Sequence, residues 1–231
     1  ITLVLLIAQC STPKPKVSTT LTETANLKAL IIDGENNHGV WPKTTIMMKD
    51  FLEQTGLFTV DINRTSNVYQ GPHHSVPGDV KKLLTQYPLN DGKTYTSVDT
   101  QVPDATFSPD FSAYDVVISN MGWESSTWPA ETVANFEQYM ANGGGLVIIH
   151  AANNAWGDWD AFNQMIGLGA WGDRNTESGP YVYYDDSGKK HIDPSEGQCG
   201  SHGPEYEFEM ITRAPMHPIM KGLPNAWLHT Q

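Results

Sequence analysis

The residues best equipped for chemistry fall in three short clusters, each directly after an apolar run. "IIDGENNHGVW" (31–41) carries Glu35, Asn36, Asn37 and His38. "ISNMGWESS" (118–126) carries Asn120, Trp123 and Glu124, and "IIHAANNAWGDWD" (148–160) carries His150, Asn153, Asn154 and Trp156. A tight turn uses one or two such residues, usually Gly with Asn or Asp, so each cluster exceeds a turn's needs. Imidazole beside carboxylate is the material of general acid–base chemistry. His150 or His38 is the candidate base, with Glu35 or Glu124 as acid or second carboxylate. Asn36, Asn37 and Asn153 can hydrogen-bond hydroxyls, and Trp123 and Trp156 offer ring faces to the C–H side of a pyranose. His202 and His229 complete the candidate ligand contacts, and the donor set suits a carbohydrate or polyol.

Plainer assignments compete with these. Asn36 and Asn37 could satisfy their own loop backbone. Trp123, Trp156 and Trp171 could be core, and the histidines could cap or pack. His217, ahead of Pro218, reads as structural, and His73 and His74 as surface residues.

A divalent metal on His38, His150 and His202, with Glu35 or Glu124 as a hard ligand, is a further option. None of these histidines has the H-x-x-x-H spacing that marks such a site strongly. NAD, FMN and ATP are not expected. No G-x-G-x-x-G follows the first apolar run, and neither G-x-x-x-x-G-K-[ST] nor G-x-S-x-G occurs. Glu35 would also repel a phosphate at that turn. With 26 acidic against 14 basic residues and a net charge of −12, the chain lacks a nucleic-acid footprint.

The clusters need a scaffold, and the apolar runs supply one. "LKALIID" (27–33), "LFTVDIN" (57–63), "YDVVISN" (114–120) and "GGLVIIH" (144–150) read as buried strands, the last as the central one. Trp41-Pro42 opens a helix whose Met47, Met48, Phe51, Leu52 and Thr55 recur at helical spacing until Gly56. Pro129 opens another, with Val133, Phe136 and Met140 inward and Gly143 as its stop. A third helix is expected near 159–167. Residues 64–112 read as irregular, "YVYYDDSGKKHI" as a hairpin, and 205–211 as a strand. Strand–helix–strand alternation implies βαβ units and a mostly parallel sheet, in one α/β domain with loop insertions. Ligands of such sheets bind beyond the carboxyl ends of the strands, where all three clusters would lie.

The N-terminal stretch has a different character. "ITLVLLIAQC" is too short to span a bilayer and resembles the end of a secretory signal peptide. Ile7-Ala8-Gln9-Cys10 resembles a lipobox, with Cys10 as the lipidation site and a lipid anchor as the membrane contact. Residues 11–26 read as a flexible tether reaching about 20 Å. The expected location is the bacterial cell envelope, and the chain is expected to be part of a longer precursor. With Cys10 lipidated, Cys199 has no disulfide partner.

"GENNH", "GGGLVIIHAA", "GSHG" and "HPIMKGLPNAWLH" together resemble the ThuA-like (trehalose utilisation) family, over residues 27–231. The resemblance implies a flavodoxin-like, class I glutamine amidotransferase-like three-layer sandwich. It also implies a role in disaccharide and keto-sugar catabolism. In amidotransferases a nucleophilic Cys occupies the sharp turn after a strand like "GLVII". His150 stands at that position here, which is incompatible with glutamine hydrolysis through a thiolate. Two other functions stay open, a non-catalytic carbohydrate-binding module and a metal-dependent hydrolase.

Overall fold

The computed structural model describes residues 26–69, 79–167, 169, 179–197 and 206–230. Its centre is a five-stranded parallel sheet in the order β3-β2-β1-β4-β5. The strands are β1 (Leu27–Glu35), β2 (Phe58–Tyr69), β3 (Thr96–Val98), β4 (Val116–Ser119) and β5 (Gly145–Ile148). Four helices accompany them: α1 (Trp41–Gln54), α2 (Asp79–Gln86), α3 (Ala130–Ala141) and α4 (Asp160–Ile166).

Residues in β1 alternate between two covered faces. Leu30 and Ile32 join Val117, Phe136, Trp128, Trp156 and Phe162 on the α3–α4 side. Ala29 and Ile31 join Val60 and Ile118 against Met48 and Leu52 of α1. Burial on both faces explains why β1 is apolar at consecutive positions instead of alternating. This helix–sheet–helix layering is the expected α/β sandwich.

Several local expectations change. β2 runs to Tyr69, so residues 64–69, expected to be irregular, are strand. Their polarity is satisfied within the sheet: the buried Arg64 guanidinium forms paired 2.8 Å bonds to Asp33. The rest of that "irregular" stretch contains α2, β3 and a one-turn 3-10 segment at Phe111–Ala113. β5 is a sheet edge among the described residues, not the centre, with Val147 43% exposed. In α1 Met48 and Leu52 face the sheet as expected, joined by the buried Trp41, Pro42 and Thr45, while Met47 and Phe51 are exposed.

The expected hairpin forms from β6 (Tyr181–Tyr184) and β7 (Lys190–Asp193), its turn held by Asp185 Oδ1 accepting from Ser187 N and Lys189 N. β8 (Glu207–Ile211) pairs antiparallel with β9 (Ala226–Thr230) in a separate two-stranded sheet. Among the described residues no helix is long and apolar enough to cross a membrane. Cys10 and its flanking segments, His73, His74, Trp171, Cys199 and His202 lie outside the described residues.

Candidate functional site

Strand order reverses direction at β1, which has β2 on one side and β4 on the other. In open parallel sheets this switch point is where a ligand crevice forms. The loops after β1, β4 and β5 meet there, and each can be built up from its residues.

β1 continues past Asp33 through a register shift, and Gly34 makes the shift fit. Its φ is +122°, and a Cβ there would stand 2.0 Å from Thr65 Oγ1. The shift carries Glu35 inward to 1% exposure. Glu35 Oε2 accepts a short hydrogen bond from Ser126 N–H, while Oε1 is buried without a well-formed partner. Burial raises this carboxyl above its ordinary pKa; the Ser126 N–H and hydroxyl offset the rise only in part, and Asp104 adds to it.

A raised pKa means the folded protein holds this proton more tightly than the unfolded chain. Its stabilising contribution is full below the ordinary value of 4.5 and is lost as pH rises through the folded value. Glu35→Gln has no such proton to lose. Its melting temperature relative to the parent should therefore climb as pH is raised from 4 through neutrality. Parallel melting curves across that range would show that the carboxyl is not strained by burial.

The two amides that follow are committed to loop architecture. Asn36 Nδ2 donates to the carbonyls of Asn120 and Met121 at 3.1 and 3.0 Å, and its Oδ1 accepts from His38 N at 2.8 Å. Asn37 Oδ1 accepts from Trp123 N at 2.8 Å. Both residues are 4% exposed. They are positioning residues, tying the β1 loop to the β4 loop, where ligand contact was expected. Gly122 permits that approach, because a Cβ would meet Asn36 Cα and Asn37 Oδ1 at 2.6 Å.

The histidines behave differently. His38 and His150 are 112 residues apart in sequence, yet their Nε2 atoms lie 3.3 Å apart. The rings are edge-on, with centroids 4.7 Å apart and planes at 69°. His150 leaves β5 at a sharp turn: Ile149 still bonds Ser119 O, and His150 then takes φ +45° at the start of a 3-10 turn over His150–Asn154. Left-handed backbone at a residue with a side chain costs about 1–2 kcal/mol. Such strain persists where surrounding structure enforces it and collects at functional positions.

The other expected site residues divide. Glu124 is exposed, also left-handed at φ +54°, and its N–H reaches Asn154 O at 3.4 Å. Its carboxylate adds to the raised pKa of Tyr69, whose main cause is burial. Tyr69, opposite Glu35 at the end of β2, lies at this edge and was not among the sequence candidates. The only cue was the apolar pair Val68-Tyr69 closing a polar stretch.

Trp123 is half-buried at the rim, and its carbonyl accepts from Gln101 Nε2 at 3.4 Å. Asn153 and Asn154 each bury an Oδ1 that makes no hydrogen bond, so this loop retains acceptor capacity. Trp156, expected to stack on a sugar, is core instead. It is 3% exposed, 4.6 Å from Trp128 and 4.9 Å from Phe162 between ring centroids, and its Nε1 donates to Ser126 O. An aromatic cluster on the α3–α4 face draws the indole inward. His229 lies on β9 with its ring against Phe208, and the strand pairing that places it runs to β8. Among the described residues no three His, Cys, Asp or Glu side chains are grouped to hold one metal ion.

A family profile described as ThuA, trehalose utilisation, matches residues 28–231. The chain belongs to the ThuA family. The chain is 35% identical to a ThuA-like protein from Parabacteroides merdae ATCC 43184, with a TM-score of 0.67 over 88% of this chain and 60% of that one. It thus spans 60% of that relative's length. A ThuA-like protein from Bacteroides uniformis ATCC 8492 is 18% identical, with a TM-score of 0.47 over 92% of this chain and 62% of that one. None of the curated proteins matches the chain. Membership in the ThuA family agrees with the five-stranded parallel sheet.

Proposed function

We infer that this ThuA domain binds a disaccharide or keto-glycoside at the carboxyl edge of β1, β4 and β5 and processes it with the His38–His150 pair. The observation that carries the reading is the pair itself: two imidazoles from distant loops in nitrogen contact at the switch point, one on strained backbone. The family's link to trehalose utilisation supports a sugar as the substrate class.

In an imidazole–imidazole contact one ring donates and the other accepts, so one fixes the other's tautomer. The accepting ring, relayed through its partner, can take a proton from a water attacking an acetal or from carbon beside a keto group. Glu124, exposed at the rim, is the accessible candidate for a second carboxylate, because Glu35 is sealed beneath the Ser126 loop. Asn153 and the half-buried Trp123 are suited to hydroxyls and to a pyranose face. The chemistry excludes glutamine hydrolysis, which needs a thiolate where His150 stands. A lipid on Cys10 would hold the domain at the cell envelope.

The test is calorimetry and product analysis with trehalose and a keto-disaccharide, using an equally sized linear polyol as control. Saturable binding of the disaccharides and product from the keto form are expected. Binding without product would reassign the domain as a carbohydrate-binding module. No preference over the polyol would end the sugar reading.

A further inference from the structure

We propose that a cavity beside β2 binds a small monocarboxylate, held by the unpaired edge of the buried Arg64 guanidinium. The cavity, about 390 Å³, lies between α2 and the loop that leads into β3. That volume falls in the range of about 300–1,000 Å³ usual for small-molecule sites. Leu84, Pro88 and Leu89 give it apolar walls, while Arg64, Lys93 and Tyr95 bring polar groups to it. Neither His38 nor His150 lines it, and the site does not rest on the sugar reading.

Arg64 supplies the anchor. Its side chain is 1% exposed, yet it forms part of the cavity wall. A guanidinium carries five N–H donors in one fixed plane. Nε and Nη2 each donate to Asp33 at 2.8 Å. Among the described residues Nη1 donates to nothing. The Trp41 and Tyr95 rings pack at 4.7 and 5.3 Å from the guanidinium carbon and hold the plane in place. The donors left over are therefore fixed before a ligand arrives, which is what tight recognition needs.

The pattern of those donors selects the ligand. The end of a guanidinium that carries Nη1 and Nη2 presents two parallel N–H groups, a match for the two oxygens of a carboxylate. Charge favours a single negative charge. Asp33 already neutralises Arg64, and the lining itself holds Asp91 beside Lys93. A dianion such as phosphate would meet more repulsion from these two carboxylates than a monoanion does. The Asp91 oxygens are themselves taken by the loop, Oδ1 accepting from Lys93 N at 3.1 Å and Oδ2 from the Tyr95 hydroxyl. Leu84, Pro88 and Leu89 then suit a hydrocarbon body behind the carboxylate.

The test is calorimetry and ligand-observed NMR on the full chain with acetate, butyrate, hexanoate and benzoate. Benzamide and inorganic phosphate are the controls. Saturable binding of hexanoate or benzoate at one equivalent per chain is expected, with acetate weaker because it leaves the walls empty. Exchanging benzoate for benzamide should weaken binding about tenfold or more, the worth of a hydrogen bond to a charged group. Lys93→Gln should weaken benzoate several-fold, and Leu84→Trp, which fills the cavity, should abolish its binding. Arg64→Ala would strip Asp33 of its partner, so the Asp33→Leu, Arg64→Met double variant replaces it. That variant should fold, as read by thermal melting, and lose the acid. No saturable binding of any of the four acids at tens of millimolar overturns the site. Equal affinity for benzamide or for phosphate does so too. Undiminished binding by Leu84→Trp overturns it whether or not the double variant folds.

Discussion

Arg64→Ala is expected to cost about 3–5 kcal/mol of folding stability, a large part of what holds a domain of this size together. The Asp33 and Arg64 side chains are 0% and 1% exposed, and two bonds of 2.8 Å join them. Thr45 Oγ1 donates to Asp33 Oδ2 at 2.7 Å, and the guanidinium lies 4.7 Å from the centre of the Trp41 ring. Burial alone would lower the Arg64 pKa; attraction to Asp33 outweighs it and holds the guanidinium above its ordinary value. Without the guanidinium, Asp33 is left as a buried carboxylate with one hydroxyl donor. That cost, more than the worth of the pair, sets the size of the loss.

Replacing both partners by apolar side chains of similar volume, Asp33→Leu with Arg64→Met, should therefore recover most of it. Urea unfolding of the single and double variants measures both. A single-variant loss below about 1 kcal/mol would class the pair with solvent-screened bridges. The consequence reaches the site, because Asp33 lies just before the Gly34 shift that aims Glu35 inward and starts the His38 loop.

His150→Ala should lower turnover of a keto-disaccharide by about 10²–10⁴-fold, the usual contribution of a positioned acid–base group. Its effect on melting should be small, because the side chain is exposed and the backbone strain belongs to any residue with a Cβ. His150→Asn tests the role: Asn tolerates left-handed backbone and keeps a hydrogen bond, but has no basicity. Binding should survive in that variant while turnover does not. His150→Gly should melt at or above the parent temperature, since glycine adopts φ +45° without cost. Full turnover by a well-folded His150→Ala protein would remove this residue from the chemistry. It would leave His38 and Glu124 to account for the site.

Much of this protein is written locally. Pro42 and Pro129 mark the starts of α1 and α3, while Gly56 and Gly143, at φ +69° and +88°, close them. The apolar run of β1 announces a strand covered on both faces, and the polar clusters mark where β1, β4 and β5 end. These signals are legible because helix ends, glycine turns and apolar periodicity depend on near neighbours in the chain. The family resemblance rests on the same contiguous segments.

What the sequence by itself left undetermined depends on partners far away in the chain. Residues 64–69 look irregular because they are polar, and they form strand because Asp33, 31 residues earlier, neutralises Arg64 inside the sheet. "GGLVIIH" looks central because it is apolar, yet its place at the edge follows from which strands pair. Trp156 suits a sugar platform by type, and only the surrounding Trp128 and Phe162 turn it inward. Asn36 and Asn37 suit a ligand by type, and only the approach of the β4 loop through Gly122 commits them to backbone. The meeting of His38 with His150 is the clearest case. Each lies just past a different strand, and no spacing rule spans the 112 residues between them. Pairing of β1 and β5 to opposite sides of β4, with a left-handed turn at His150, brings their nitrogens to 3.3 Å. Residue type supplies the chemistry, and the sheet order supplies the distance, because a parallel sheet aligns the carboxyl ends of strands distant in sequence.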